Sequence, residues 1–152
     1  MKLTVEQFWQ EFLAATGRDG GTQCYEAFHF DLSEKVANEL LALVLSGQKR
    51  ATAGSLLGYQ IDGGDMPQVG DFSIVTDWDG APRCVIQTTA VTVLPFNEMT
   101  FDICKREGED ECLETWVESH RRFFEEEGAA MGYVFTEDMP VVFEDFEVVY
   151  RT

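Results

Sequence analysis

The stretch GQKRATAG, residues 47–54, sets two cations, Lys49 and Arg50, close to the hydroxyl of Thr52. Threonine is a weak nucleophile that needs a base beside it. Lysine can be that base when burial or a neighbouring cation lowers its pKa, and Arg50 is such a cation. A second concentration of ionisable groups is KREGEDE, residues 105–111, where Lys105 and Arg106 run into Glu107, Glu109, Asp110 and Glu111. A carboxylate from this run can hold a catalytic lysine or move a proton. Both stretches also have plainer accounts. Cations just past a helix C-terminus meet the helix dipole, worth about 0.3–1 kcal/mol, and a mixed charge run is the usual composition of a solvated loop that caps the next helix. On spacing and charge alone the plainer accounts are the better ones. His120, four residues after Trp116, suits a general base or a ring stacked on a ligand, and suits packing at a core margin equally; His29 in FHF is as ambiguous.

Other chemistries find less support. The acidic run lacks the spacing of a calcium-binding loop, and there is no phosphate-binding glycine motif. Cys24, Cys84, Cys104 and Cys112 form no C-x-x-C pair, so neither structural zinc nor a disulfide is expected. No metal and no cofactor is assigned. The 28 acidic and 11 basic residues give a net charge of −17. Such a chain repels polyphosphate at long range, which excludes salt-driven duplex binding and leaves nucleic-acid contact dependent on a local basic patch. No apolar run is long enough to cross a bilayer. Glu6 and Glu11 interrupt the segment where an export signal would be apolar, so a cytoplasmic location and reduced thiols are expected.

The elements that would position these residues follow from periodicity. Val5, Phe8, Trp9, Phe12 and Leu13 fall on one helical face, with Thr4 and Gln7 spaced as a capping box and Gly17 as the stop. SEKVANELLALVLSG reads as a second helix, capped by Asp31 or Ser33 and ended by Gly47, so that GQKRATAG is its exit loop. Residues 18–31 read as irregular or a short strand, and Ser55 to Ile61 as a short helix. Phe72, Ile74 and Thr76 alternate, DWDG turns the chain, and a β-branched run follows from Cys84 to Val93. Phe101 to Cys104 is a short helix, Leu113, Trp116, Val117, His120 and Phe124 mark a longer one, and MPVVFEDFEVVY is a closing strand. The expected core is Phe8, Phe12, Leu40, Leu41, Val44, Ile74, Ile86, Trp116, Phe146 and Val148. There is no linker or internal repeat, and the chain is a single α+β domain.

Five blocks, LALVLSGQKRATAG, PQVGDFSIV, CVIQTTAVTVLPFNEMT, REGEDECLETWVESHRRFF and VVFEDFEVVY, occur in the order found in the ASCH domain, a branch of the PUA-like superfamily, and from about residue 33 to the C-terminus the chain resembles that family. The resemblance implies one domain over residues 1–152, with 1–32 as an N-terminal helical extension packed on it. It implies an α+β, PUA-like small β-barrel, open or closed, flanked by helices, and a cleft where the Gly-x-Lys-x-x-Thr loop meets the acidic segment. PUA-like domains commonly bind RNA. One ASCH branch deacylates N4-acetylcytidine with a Lys, a Thr and a Glu, which by motif fall on Lys49, Thr52 and Glu107; another member is a ribonuclease. Gln87 and Ala90 stand where the family's IETTEV strand carries carboxylates.

Three functions follow. A module for RNA, single-stranded nucleic acid or a nucleotide would use Lys49, Arg50, Lys105 and Arg106 as a basic patch, with Tyr59 or Trp78 stacking a base. An amidohydrolase for N4-acylated cytidines would use Thr52 as nucleophile, Lys49 as base, and Glu107 to orient Lys49 or protonate the leaving amine. A protein-interaction domain without a ligand would fit the loss of the two carboxylates.

Overall fold

The computed structural model describes residues 3–151. The first helix, α1 (Val5–Thr16), starts where Thr4 Oγ1 accepts the Gln7 N–H at 3.1 Å and Gln7 Oε1 accepts the Thr4 N–H at 2.9 Å. It ends at Gly17, whose left-handed backbone no other residue adopts as cheaply. The second, α2 (Glu34–Ser46), takes Ser33 as its cap and ends at left-handed Gly47. Two short helices, α3 (Leu56–Ile61) and α4 (Phe101–Cys104), and a long one, α5 (Leu113–Met131), complete the helical part, with 3-10 turns at Phe96–Glu98 and Lys105–Glu107. None of the described helices is long and apolar enough to cross a membrane.

The strands are β1 (Cys24–Phe28), β2 (Ala51–Ser55), β3 (Phe72–Thr76), β4 (Pro82–Pro95) and β5 (Pro140–Arg151), ordered β1-β3-β4-β5-β2 in one sheet. The β1–β3 pair is parallel and the others antiparallel. Alternation splits the core between the two sheet faces. Ile74 and Val85 pack under Phe8, Trp9, Phe12 and Leu13 of α1. Val75, Cys84, Ile86 and Phe146 pack under Leu41 and Val44 of α2. Trp116 and Phe124 of α5 close a third cluster with Ala51, Phe96, Val141 and Phe143.

Two features depart from the sequence expectations. Residues 51–55 are an edge strand rather than part of a loop: Ala-Thr-Ala-Gly-Ser has little intrinsic β tendency, and pairing with β5 decides its conformation. The sheet does not close into a barrel. The two five-residue outer strands do not pair, and Glu26 and Phe28 of β1 instead face Gly54 and Ser55 of β2 across a cavity of about 180 Å³. The stretch at residues 18–31, read as irregular or a short strand, contains β1 at one margin of the sheet. Of the expected core, Leu40 and Val148 are half-buried and the rest are buried; the four cysteines are free thiols.

Phe12 is fully buried and touches the rings of Trp9, Phe72 and Tyr150. Phe12→Ala is expected to lower the unfolding free energy by about 3–5 kcal/mol, whereas Val69→Ala, at a side chain 68% exposed, changes it by less than about 0.5 kcal/mol in the same urea titration.

Candidate functional site

Two segments far apart in the chain are stitched together where α2 gives way to β2. The Arg50 N–H donates to Arg106 O at 2.9 Å, and Gln48 Nε2 donates to Gly108 O at 2.6 Å. Gly108 has φ +73°, and a Cβ there would lie 2.2 Å from Gln48 O. Only glycine lets the turn after Glu107 lie this close to residue 48.

The seam delivers Lys49 into the interior. The residue is 2% exposed. Its Nζ donates to Ala51 O at 2.8 Å and Glu109 Oε2 at 2.6 Å, lies 3.5 Å from Glu107 Oε1, and sits 5.2 Å from the Phe30 ring centroid. Three acceptors match the three N–H donors of an ammonium. Glu107 is 1% exposed. One of its oxygens accepts from Trp116 Nε1, and the other faces both Lys49 and His120 Nε2, the latter at 3.3 Å. His120 stacks on Trp116 with centroids 4.2 Å apart and turns Nδ1 to Trp116 O at 2.9 Å. A carbonyl only accepts, so Nδ1 carries a proton; Nε2 faces a carboxylate, so the ring is set up as an imidazolium.

The electrostatics agree with this geometry. Burial alone would push the Glu107 carboxyl up. The charges of His120 and Lys49 and the hydrogen bonds from His120 and Trp116 outweigh it and hold the group below the ordinary carboxylate range. Burial alone would push His120 down, but Glu107 raises it above its usual value. Glu109 goes the other way: burial, helped by the Glu107 charge, raises it against the pull of Lys49. The two carboxyls are therefore pushed in opposite directions, Glu107 below and Glu109 above the ordinary value.

A pocket of about 140 Å³ opens on this cluster, with Phe30, Phe123, Asp31 and Ser119 among its walls and Thr52 and Ala53 of β2 on its rim. The Thr52 hydroxyl has no hydrogen-bond partner among the described residues. Lys49, Thr52 and Glu107 thus line one pocket. The remaining sequence candidates do not. Arg50 is exposed in a separate groove with Arg151, and Tyr59 lines the cavity between β1 and β2. Lys105 lies 3.6 Å from Asp102 on the surface, and Arg106 lies 2.8 Å from Asp145. Trp78 packs on His29. Gln87 reaches Gly70 O, and Ala90 stands at the β4 bulge; neither lines the pocket. Glu109, Asp31 and Ser119 carried no signal that set them apart in the sequence. His120 had one, its four-residue spacing from Trp116, but the carboxylate that makes it functional lies in another element.

Glu107, Glu109 and His120 hold ligand atoms within 4.8 Å of one another, a spacing that a metal ion could use. The Lys49 ammonium stands in the cation's place, and an imidazolium has no lone pair to offer, so these residues do not suit a metal in this arrangement.

The ASCH domain family model matches residues 26–150. The fold resembles that of an ASCH domain from Lactobacillus crispatus JV V101, with a TM-score of 0.87 and 37% identity over 96% of this chain and 94% of that one. It resembles protein EF3133 from Enterococcus faecalis V583 equally, at a TM-score of 0.87 and 36% identity over 95% and 87% of the two chains. A mutant of the ASCH protein ZmASCH from Zymomonas mobilis, 12% identical with a TM-score of 0.51 over 84% and 74%, shares the fold alone. No curated protein matches the sequence.

The cluster makes stability depend on pH from both sides. Glu107 has a folded pKa below its unfolded value of 4.5, so its contribution is complete above pH 4.5 and is lost as pH falls through the folded value. His120 has a folded pKa above 6.5, so its contribution is complete below pH 6.5 and fades as pH rises through the folded value. Glu107→Gln leaves buried His120 without its counter-charge and Lys49 with Glu109 alone; a loss of roughly 3–5 kcal/mol is expected at pH 6. In an NMR titration the His120 pKa is expected to drop below 6.5 in that variant, because burial then dominates.

Proposed function

The chain belongs to the ASCH domain family, and on that premise we propose that it is an amidohydrolase for N-acylated nucleobases of the N4-acylcytidine type, working in the pocket around Lys49. The observation that carries this reading is the meeting of three ionisable side chains, Lys49, Glu107 and His120, with little exposure, beneath an open pocket whose rim holds an uncommitted hydroxyl. Buried ions of this kind are costly to maintain and add little net stability, whereas active sites use them to set protonation states.

In this reading Thr52 Oγ1 bonds to the acyl carbon and its proton passes to Glu109, the carboxyl that burial raises above its ordinary value. The charge that develops on the carbonyl oxygen faces the Lys49 ammonium, and a fixed cation in a water-poor site is the strongest available stabiliser of that charge. The C–N bond breaks as Glu109 returns the proton to the departing amine. Water then attacks the threonine ester, giving one proton through Glu109 back to Oγ1, and the acid leaves. Glu107, held as an anion, orients Lys49 and His120 rather than protonating the amine. Lys49 acts as a fixed cation, its Nζ facing three acceptors.

The charge arrangement weighs against the other two readings. The basic patch that an RNA strand or a phosphodiester substrate requires is dispersed: Lys105 and Arg106 pair with carboxylates, and Arg50 opens onto a different groove. A ligand-free interaction domain gives no reason to keep a buried charge network.

Incubation with N4-acetylcytidine is expected to release cytidine and acetate. Thr52→Ala and Glu109→Gln should each lower kcat by about 10²–10⁴-fold with the fold unchanged by circular dichroism. The low-pH limb of kcat/KM should lie above the ordinary glutamate value and vanish in Glu109→Gln. No release of cytidine, together with saturable binding of single-stranded RNA, would favour the nucleic-acid module instead.

A further inference from the structure

The direction of the main-chain groups on β2 follows from its pairing. Arg50 O accepts the Phe146 N–H at 3.0 Å. Antiparallel pairs alternate between hydrogen-bonded and non-bonded, and the register continues Thr52↔Glu144, Ala53↔Phe143, Gly54↔Val142. Thr52 and Gly54 therefore aim their N–H and C=O at β5, while Ala51 and Ala53 aim theirs at the open edge. The Lys49 contact supports this phase independently, because the Ala51 carbonyl that accepts Nζ lies on that edge. Ala53 lines the pocket; by this phase its N–H and C=O face away from β5, and no hydrogen bond outside the sheet ladder reaches them among the described residues. A half-enclosed amide left unpaired is a cost that a ligand can remove.

We propose that the Ala53 main chain is the specificity element of the site: its N–H donates to a ring acceptor of the substrate base while its C=O accepts from the adjacent exocyclic N–H. This rests on the reading of the pocket as a nucleobase site. An extended residue presents its donor and acceptor side by side on one edge, and N4-acylcytosine offers the complement in ring N3 and the N4–H. The pocket suits such an occupant. It is about 140 Å³ in volume and has Phe30 and Phe123 in its walls, and its carboxylates Asp31, Glu107 and Glu109 outnumber its cations Lys49 and His120, which favours a small, planar ligand without negative charge. An edge read by main chain also explains why alanine is sufficient at this position.

The test is a titration of the ¹⁵N-labelled full chain with cytidine, which keeps N3 and an N4–H donor and needs no turnover. The Ala53 amide proton is expected to move downfield and saturate. Ala53→Pro removes a donor that faces away from β5 and holds Thr52 and residue 53 in extended backbone, a change that edge strands tolerate; it should melt as the wild type does and bind cytidine about tenfold more weakly, the effect of one lost hydrogen bond. Cytidine binding with the Ala53 amide unmoved, no cytidine binding at all, or full-strength binding by Ala53→Pro would each overturn the proposal. Should the proline variant fail to fold, the Ala53 donor serves the sheet and the proposal falls. The two readings also separate: a shifted Ala53 amide without hydrolysis of N4-acetylcytidine sinks the hydrolase alone, and hydrolysis unaffected by Ala53→Pro sinks the edge alone.

Discussion

Everything around the pocket answers one constraint: an ammonium has been taken out of water and must be compensated. Removing a charge of this size from solvent costs several kcal/mol even after relaxation, and Lys49 recovers it only through acceptors at 2.6, 2.8 and 3.5 Å. Two of those acceptors belong to the turn at residues 107–109, so the turn must dock against the end of α2. The docking requires Gly108, where a side chain would strike the Gln48 carbonyl. The first carboxylate, buried in its turn, needs its own donors, and Trp116 and His120 of α5 supply them. The chain of dependence runs from one lysine through a glycine turn to the placement of the longest helix.

The same constraint explains why the sheet stays open where it does. If β1 and β2 paired, their ladder would run through the space that the pocket and the neighbouring cavity occupy. Leaving both edges unpaired exposes β2 main-chain groups that can serve Lys49 on one side and a ligand on the other. Open edges invite pairing with other chains; here β2 is short and half-covered by the residues that form the site.

Local order was legible in the sequence, and long-range order was not. The capping box at Thr4 and Gln7, the glycine stops at 17 and 47, and the short helix Phe101–Cys104 depend on neighbours within one turn, and each lies where periodicity and cap chemistry put it. The strand at residues 51–55 depends on β5, some ninety residues away, and read as a loop because alanine and glycine carry no strand signal. The site divides the same way. Lys49, Thr52 and Glu107 came from motif resemblance, while spacing alone favoured a lysine at a helix end in water; burial overturned that account. His120 stayed ambiguous and Glu109 was one carboxylate of an acidic run, because their significance lies in shared contact with Lys49 and Glu107, which no local pattern encodes.

The central claim is that the buried charges are kept for chemistry and not for stability. It is tested most directly by one doubly substituted chain, Lys49→Met with Glu107→Gln, measured both for unfolding free energy and for hydrolysis of N4-acetylcytidine. Removing both partners takes out the Lys49–Glu107 pair together, and the neighbours left behind can become neutral, because burial lowers the His120 pKa and raises that of Glu109. The account predicts stability within about 2 kcal/mol of the wild type and no turnover. A double variant that still hydrolyses the amide would contradict it.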